Sequence, residues 1–158
     1  MNWQEVCEHS DLQNLPFKIE LNERGQIIMS PAKAYHSLYQ GEISYLLRSL
    51  MKEGRALAEC AIATRKGTKV ADAAWVSPKR LEIIRYETEC SVAPEICVEV
   101  LSDSNTDEEI EEKKQLYFEN GAREVWICTK NGDMSFHNVK GNLESSAFVP
   151  EFPKKVET

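Results

Sequence analysis

Two acidic residues interrupt apolar runs of this chain, and a lysine follows them in a helical stretch. Asp72 lies in Val70-Ala71-Asp72-Ala73-Ala74-Trp75-Val76, and Glu99 lies in Ile96-Cys97-Val98-Glu99-Val100-Leu101. Such short apolar runs read as buried strands. An unpaired carboxylate buried there costs on the order of several kcal/mol, so each acid demands a metal ion, a cation or a hydrogen-bond network. Mg²⁺ takes about six oxygen ligands and keeps several waters, so two carboxylates and one backbone carbonyl are enough protein. Asp72, Glu99 and the carbonyl of Val100 meet that requirement, with Mn²⁺ as a substitute ion. A metal so held lowers the pKa of a bound water and neutralises charge on a phosphate oxygen, which are the two needs of phosphodiester hydrolysis.

Lys113 stands three residues after Ile110 and four before Tyr117, on the helix face that packs towards a sheet. Its stem can lie on apolar surface while its ammonium orients a water or meets developing charge. Lys114 has the same periodicity, so spacing leaves both open. The competing use of Lys113 is a surface pair with Glu109, worth about 0.3 to 0.5 kcal/mol. Glu42, four residues from both Leu38 and Leu46, sits at the edge of a buried stripe and is a candidate third acid; its alternative is a rim pair with Arg48 or water. His36 is a candidate phosphate contact or base, set against a structural role beside two tyrosines. His9 and His137 have no partner pattern. Arg65, Lys66 and Lys69 form the one compact basic turn, suited to a nucleic-acid backbone or to a solvated hairpin tip. There is no phosphate-binding glycine loop, no Gly-x-Ser-x-Gly elbow and no cysteine in a recognisable histidine context.

The elements that must position these groups follow from periodicity. Phe17 to Leu21 alternates apolar and polar, Asn22 to Gly25 supplies a turn, and Gln26 to Met29 returns, which predicts a hairpin. Apolar residues at spacings of three and four predict a helix from Lys33 to about Glu53, stopped by Gly54. Ala56 to Thr64, the basic turn and the Asp72 strand predict a second hairpin. Lys79 to about Glu89 reads as an irregular surface excursion with some helix. Pro94 opens the Glu99 strand, and a second helix runs from about Asp107 to Asn120, closed by Gly121. The strand Glu124 to Cys128 follows; Asn131-Gly132 is a hairpin turn, and Met134 to Val139 and Leu143 to Val149 complete a meander. The first 15 or so residues read as a short helix or loose arm, and Pro150 and Pro153 predict a frayed tail. Strand, helix and strand across 96–128 predict one parallel crossover in an otherwise antiparallel sheet, so the class is mixed α/β.

A chain of 158 residues, 42% of them hydrophobic, suits one domain over 1–158, with a core at about 17–149 and peripheral segments 1–15 and 150–158. No apolar run approaches the about 20 residues of a membrane span, and the start lacks signal-peptide character, which predicts a cytoplasmic protein. Five cysteines without a Cys-x-x-Cys pair indicate neither a disulfide framework nor a zinc ribbon. A formal net charge of −7 argues against binding nucleic acid through a broad basic face, without excluding a nuclease.

Several segments together resemble the Uma-type bacterial endonuclease family, a branch of the PD-(D/E)XK, restriction-endonuclease-like superfamily. They are Gly25-Gln26-Ile27-Ile28-Met29-Ser30-Pro31, His36, Asp72 to Ser77, Pro94 to Ser102, Glu112 to Tyr117 and Asn120 to Ile127. The resemblance spans about residues 17–130. It implies a central mixed sheet flanked by helices, Asp72 and Glu99 as metal ligands, and Lys113 rather than Lys114, because the family's helix lysine stands four before the tyrosine. The superfamily's usual lysine place, two after the glutamate, is Leu101 here. Ala71 replaces the usual proline before the aspartate, Ser102-Asp103-Ser104 replaces Ser-Pro-Ser, and Gln26 replaces an acid often found after the hairpin glycine.

The reading is a Mg²⁺-dependent DNA endonuclease, with Glu42 as an accessory acid and a homodimer expected from the family. One alternative is an inactive nuclease-fold binding or regulatory module, and another is a metal-dependent hydrolase of small phosphoesters.

Overall fold

The computed structural model describes residues 1–158. In chain order the elements are α1 (Trp3–Glu8), a 3₁₀ turn (Ser10–Leu12), β1 (Phe17–Leu21), β2 (Ile27–Pro31), α2 (Ala34–Leu50), β3 (Arg55–Thr64), β4 (Gly67–Val76), α3 (Pro78–Ile84), β5 (Ile96–Val100), α4 (Asp107–Glu119), β6 (Glu124–Cys128), β7 (Met134–Asn138) and β8 (Gly141–Leu143). Strands β3 to β8 form a six-stranded sheet in chain order. Its one parallel neighbour pair is β5 and β6, joined through α4; the other pairs are antiparallel. Strands β1 and β2 form a separate two-stranded sheet, and β1 packs over β4. The mixed α/β class is therefore as expected, with the first hairpin standing apart from the main sheet.

Local chemistry accounts for the element ends. The Thr106 hydroxyl accepts the Glu109 amide at the start of α4, and Asp107, Glu108 and Glu109 complement the positive end of the helix dipole. Beyond the last turn Gly121 takes φ +107°, a left-handed position that suits glycine. Ser77 caps α3, with Pro78 in its first turn. Gly67 serves a different purpose. Its φ is +87°, and a Cβ there would lie 2.3 Å from the Asn22 carbonyl oxygen and 2.4 Å from that of Leu21. Only a residue without a side chain lets the end of β1 come this close to the β3–β4 turn.

The sheet is covered on both faces. On one, Ile43 and Leu47 of α2 pack with Trp75, Ile96, Val98, Trp126 and Phe136. On the other, Ile84 of α3 and Tyr117 of α4 pack with Ala74, Val76, Cys97, Val125 and Ile127. Double coverage explains why β4 and β5 read as continuous apolar runs rather than alternating ones.

Two expectations at the C-terminal end are corrected. The tail is docked, not frayed: Val149, Phe152 and Val156 are buried in the α2-side core. Lys154 O accepts the Met134 amide, and the Val156 amide donates to Gly132 O. Of the anticipated strand from Leu143 to Val149 only Leu143 is in a strand, as the last residue of β8, and the following loop turns back to satisfy a buried acid. Glu124, 2% exposed, accepts hydrogen bonds from Trp126 Nε1 at 2.8 Å, Ser146 Oγ at 2.6 Å and the Ala147 amide at 2.8 Å. The Ser146 hydroxyl oxygen also accepts the Phe148 and Val149 amides. Ser146→Ala is therefore expected to cost about 1 to 3 kcal/mol. Urea midpoints measure this, and a shift of only a few tenths of a kcal/mol would show that the loop holds without the hydroxyl.

Candidate functional site

The antiparallel register of β4 and β5 pairs Ala74 with Cys97 and Ala73 with Val98. One further step sets Asp72 opposite Glu99. By strand parity both acids point to the face of Ala74 and Cys97, where α4 packs. Asp72 is 1% and Glu99 4% exposed. Each had to find a cation, and both share one. Lys18 of β1 places its Nζ 3.1 Å from Asp72 Oδ1 and 3.5 Å from Glu99 Oε2. Lys113 of α4 lies 3.3 Å from Glu99 Oε1 and 2.9 Å from Glu20 Oε2. Charges thus alternate through Asp72, Lys18, Glu99, Lys113 and Glu20.

Neutral and polar groups complete the network. The Val100 amide donates to Asp72 Oδ2 at 2.7 Å, and the Val70 amide donates to Glu20 Oε2 at 2.7 Å. Tyr117 donates its hydroxyl to Glu99 Oε1. His36, at the head of α2, has Nε2 3.4 Å from Asp72 Oδ2 and 3.0 Å from the Val100 carbonyl oxygen.

The environment splits the two acids. Burial opposes ionisation of Asp72, but the Lys18 ammonium, His36 and the Val100 amide outweigh it and hold its carboxyl well below the usual range. Burial dominates at Glu99 and pushes its pKa up, although Lys113 and Lys18 pull the other way. Glu20 is held low despite burial, through Lys113 and Lys18. Lys18 is itself buried, yet Glu99, Asp72 and Glu20 keep its ammonium charged.

Asp72, Glu99, Lys113 and Val100 therefore converge. Lys114 does not, because its ammonium pairs with Glu111 at 2.7 Å. Glu42 is half-buried on α2 and does not line the cavity around the acids. The third carboxylate there is Glu20. Arg65 and Lys66 of the basic turn are tied to α4, at 2.8 Å from Glu119 and 2.7 Å from Glu112. His9 caps the 3₁₀ turn, and His137 contacts Ser135.

Lys18 and Glu20 were not anticipated. The alternation of Phe17 to Leu21 puts them on one polar face and gives no sign of where that face lies. The hairpin lies on the main sheet, so its polar face points inward, while Phe17 is 41% exposed. The available signal was that Lys18 and Glu20 share one face of a strand whose apolar face is short.

The cavity above the acids measures about 610 Å³, and seven carboxylates and four lysines are among its lining residues. No three His, Cys, Asp or Glu side chains are grouped as a metal cage. The donor set nevertheless fits a hard divalent cation that keeps several waters: two carboxylates and a carbonyl supply oxygen only, and the Lys18 ammonium already bridges Asp72 and Glu99.

A mixed sheet thus presents two adjacent buried acids with a helix lysine beside them. The Uma2 family model, described as "putative restriction endonuclease", matches residues 3–151, and the chain belongs to that family. A crystal structure of "a putative nuclease belonging to DUF820" from Anabaena variabilis has the same fold: TM-score 0.75 at 18% identity, covering 98% of this chain and 94% of that one. No curated protein matches the sequence.

Proposed function

We propose that this protein is a divalent-metal-dependent endonuclease that hydrolyses phosphodiester bonds of DNA. The observation that carries the reading is the single cation shared by Asp72 and Glu99, two carboxylates that burial would otherwise exclude. In this reading Asp72 and Glu99 hold Mg²⁺, or Mn²⁺ in its place, with the Val100 carbonyl as a third protein oxygen. When bound, the ion supplies a water of lowered pKa and neutralises charge at the phosphate. Lys113 orients the attacking water or meets the charge of the five-coordinate phosphorus, and Glu20 positions that ammonium. Tyr117 fixes the Glu99 carboxylate, leaving Oε2 towards Lys18. Glu42, considered from its spacing, lies outside this constellation.

An acidic cavity repels DNA phosphates, so cations must enter with the substrate or before it. Supercoiled plasmid is therefore expected to be nicked or linearised with Mg²⁺ or Mn²⁺ and left intact with EDTA. Equal cutting with EDTA, or no cutting with either ion, removes the metal-dependent reading. RNA of the same length serves as the comparison substrate.

The reading includes a cytoplasmic location and assembly as a homodimer. Exposed Ile28, Met29 and Leu38 support the dimer, and light scattering at twice the chain mass tests it. One observation favours a second reading, a nuclease fold that binds without turnover. Lys18 bridges both acids and Lys113 pairs with Glu99, so each buried carboxylate already has a cation with no metal bound. Calorimetry separates the two: absence of Mg²⁺ and Mn²⁺ binding at millimolar concentration, alongside tight binding of a partner, selects the binding module.

A further inference from the structure

We infer that Lys18 is a tethered counter-ion that a divalent metal must displace, and that the displaced ammonium then meets a phosphate of the incoming strand, so that metal and DNA assist each other's binding. The inference rests on the proposed metal site and adds its regulation.

Lys18 Nζ lies 3.1 Å from Asp72 Oδ1 and 3.5 Å from Glu99 Oε2, which are the oxygens not taken by the Val100 amide and by Tyr117. A metal bound by these two oxygens competes with the ammonium for the same space and the same charge. Lys113 does not compete in this way, because it holds Glu99 by the other oxygen and is anchored on Glu20.

Lys18 is also the group free to leave. Its side chain is 15% exposed and lines the cavity. It stands on β1, outside the six-stranded sheet, and a rotation about its side-chain bonds carries the ammonium outwards with the backbone in place. A four-carbon stem with several rotatable bonds permits that movement. Once displaced from Asp72 and Glu99, the ammonium keeps Glu20 at 4.0 Å, but that carboxylate is already paired with Lys113 at 2.9 Å, and a phosphate diester entering the cavity supplies an anion not so engaged. Linkage then makes the effect reciprocal: whatever draws Lys18 outwards raises metal affinity, and metal raises affinity for whatever receives Lys18.

The test compares Mn²⁺ binding by calorimetry in metal-stripped wild type, Lys18→Met, Lys18→Arg and Asp72→Asn. Lys18→Met is expected to bind Mn²⁺ at least tenfold more tightly than wild type, about 1.4 kcal/mol, whereas Lys18→Arg keeps the competing charge and stays weak. A phosphorothioate DNA duplex is expected to tighten Mn²⁺ binding to wild type by a larger factor than in Lys18→Met, where only the ion's own contact with phosphate remains; an equal factor in both removes the phosphate contact of Lys18. Equal Mn²⁺ affinity in wild type and Lys18→Met, with binding lost in Asp72→Asn, overturns the counter-ion role while leaving the metal site intact. Absence of binding in wild type and Lys18→Met, or binding indifferent to Asp72→Asn, overturns the metal site and this inference together. If loss of the shared cation unfolds Lys18→Met, Mn²⁺ below the wild-type dissociation constant is expected to restore its circular dichroism spectrum. Failure to restore it overturns the inference.

Discussion

Under the proposed function, Glu99→Gln is expected to lower metal-dependent DNA cleavage by about 10³-fold or more, equivalent to about 4 kcal/mol of transition-state stabilisation, and to leave the protein folded. Glutamine keeps the length and one oxygen of the side chain but removes the charge that would hold the proposed divalent ion. The fold survives because the remaining charges stay balanced. Lys18 keeps Asp72 at 3.1 Å, and Lys113 keeps Glu20 at 2.9 Å. Burial already favours a neutral group at position 99, so the amide also removes an unfavourable term. Asp72→Asn is expected to lower cleavage similarly, with a larger effect on stability, because the ionised form of Asp72 is the one favoured by Lys18, His36 and the Val100 amide. The measurement is plasmid cleavage at fixed Mg²⁺ beside thermal unfolding of the same preparations. Cleavage within a few-fold of wild type in both folded variants removes Asp72 and Glu99 from the chemistry.

Phe152→Ala is expected to destabilise the protein by about 3 to 5 kcal/mol, a large share of the about 5 to 15 kcal/mol typical of a domain. Phe152 is 4% exposed. Its ring centroid lies 4.6 Å from that of Trp126 and 6.2 Å from that of Phe136, the latter edge-on, so truncation removes aromatic contacts as well as buried area. It also loosens the segment whose Lys154 carbonyl pairs with β7 and whose Val156 amide pairs with the Gly132 turn. Urea unfolding followed by tryptophan fluorescence reports on Trp126 itself. A loss below about 1 kcal/mol would mean that the tail contributes little to this core.

The elements that carry the site were legible because each rests on a local rule. Asn120-Gly121 closes α4 where the left-handed glycine stands, and Asn131-Gly132 marks the turn between β6 and β7. The uninterrupted apolar runs around Asp72 and Glu99 announced strands buried on both faces, and a charge inside such a run announced a partner. Helical spacing narrowed that partner to Lys113 or Lys114. Contact with the sheet decides between them: Lys113 reaches Glu99 and Glu20, and Lys114 reaches only Glu111.

Other features follow no local rule. The alternation in Phe17 to Leu21 says that Lys18 and Glu20 share a face, but which face is inward depends on where the hairpin lies. Docked on β4, it turns the polar face in and makes Glu20, rather than Glu42, the third acid. Pro150 and Pro153 suggest a loose tail, yet Phe152 between them packs on Trp126 and Phe136. The segment after Leu143 has strand composition, but Glu124, buried more than 20 residues earlier, claims its Ser146 hydroxyl and Ala147 amide.

The sequence by itself determined which segments become strands and helices, and that two acids inside apolar strands require a cation, because periodicity, turn chemistry and the cost of burying charge act over a few residues. Only the tertiary structure decided which cations they receive and which third acid joins them. Those pairings span 54 residues from Lys18 to Asp72 and 81 from Lys18 to Glu99, and they exist only once a separate hairpin has packed its polar face onto the sheet.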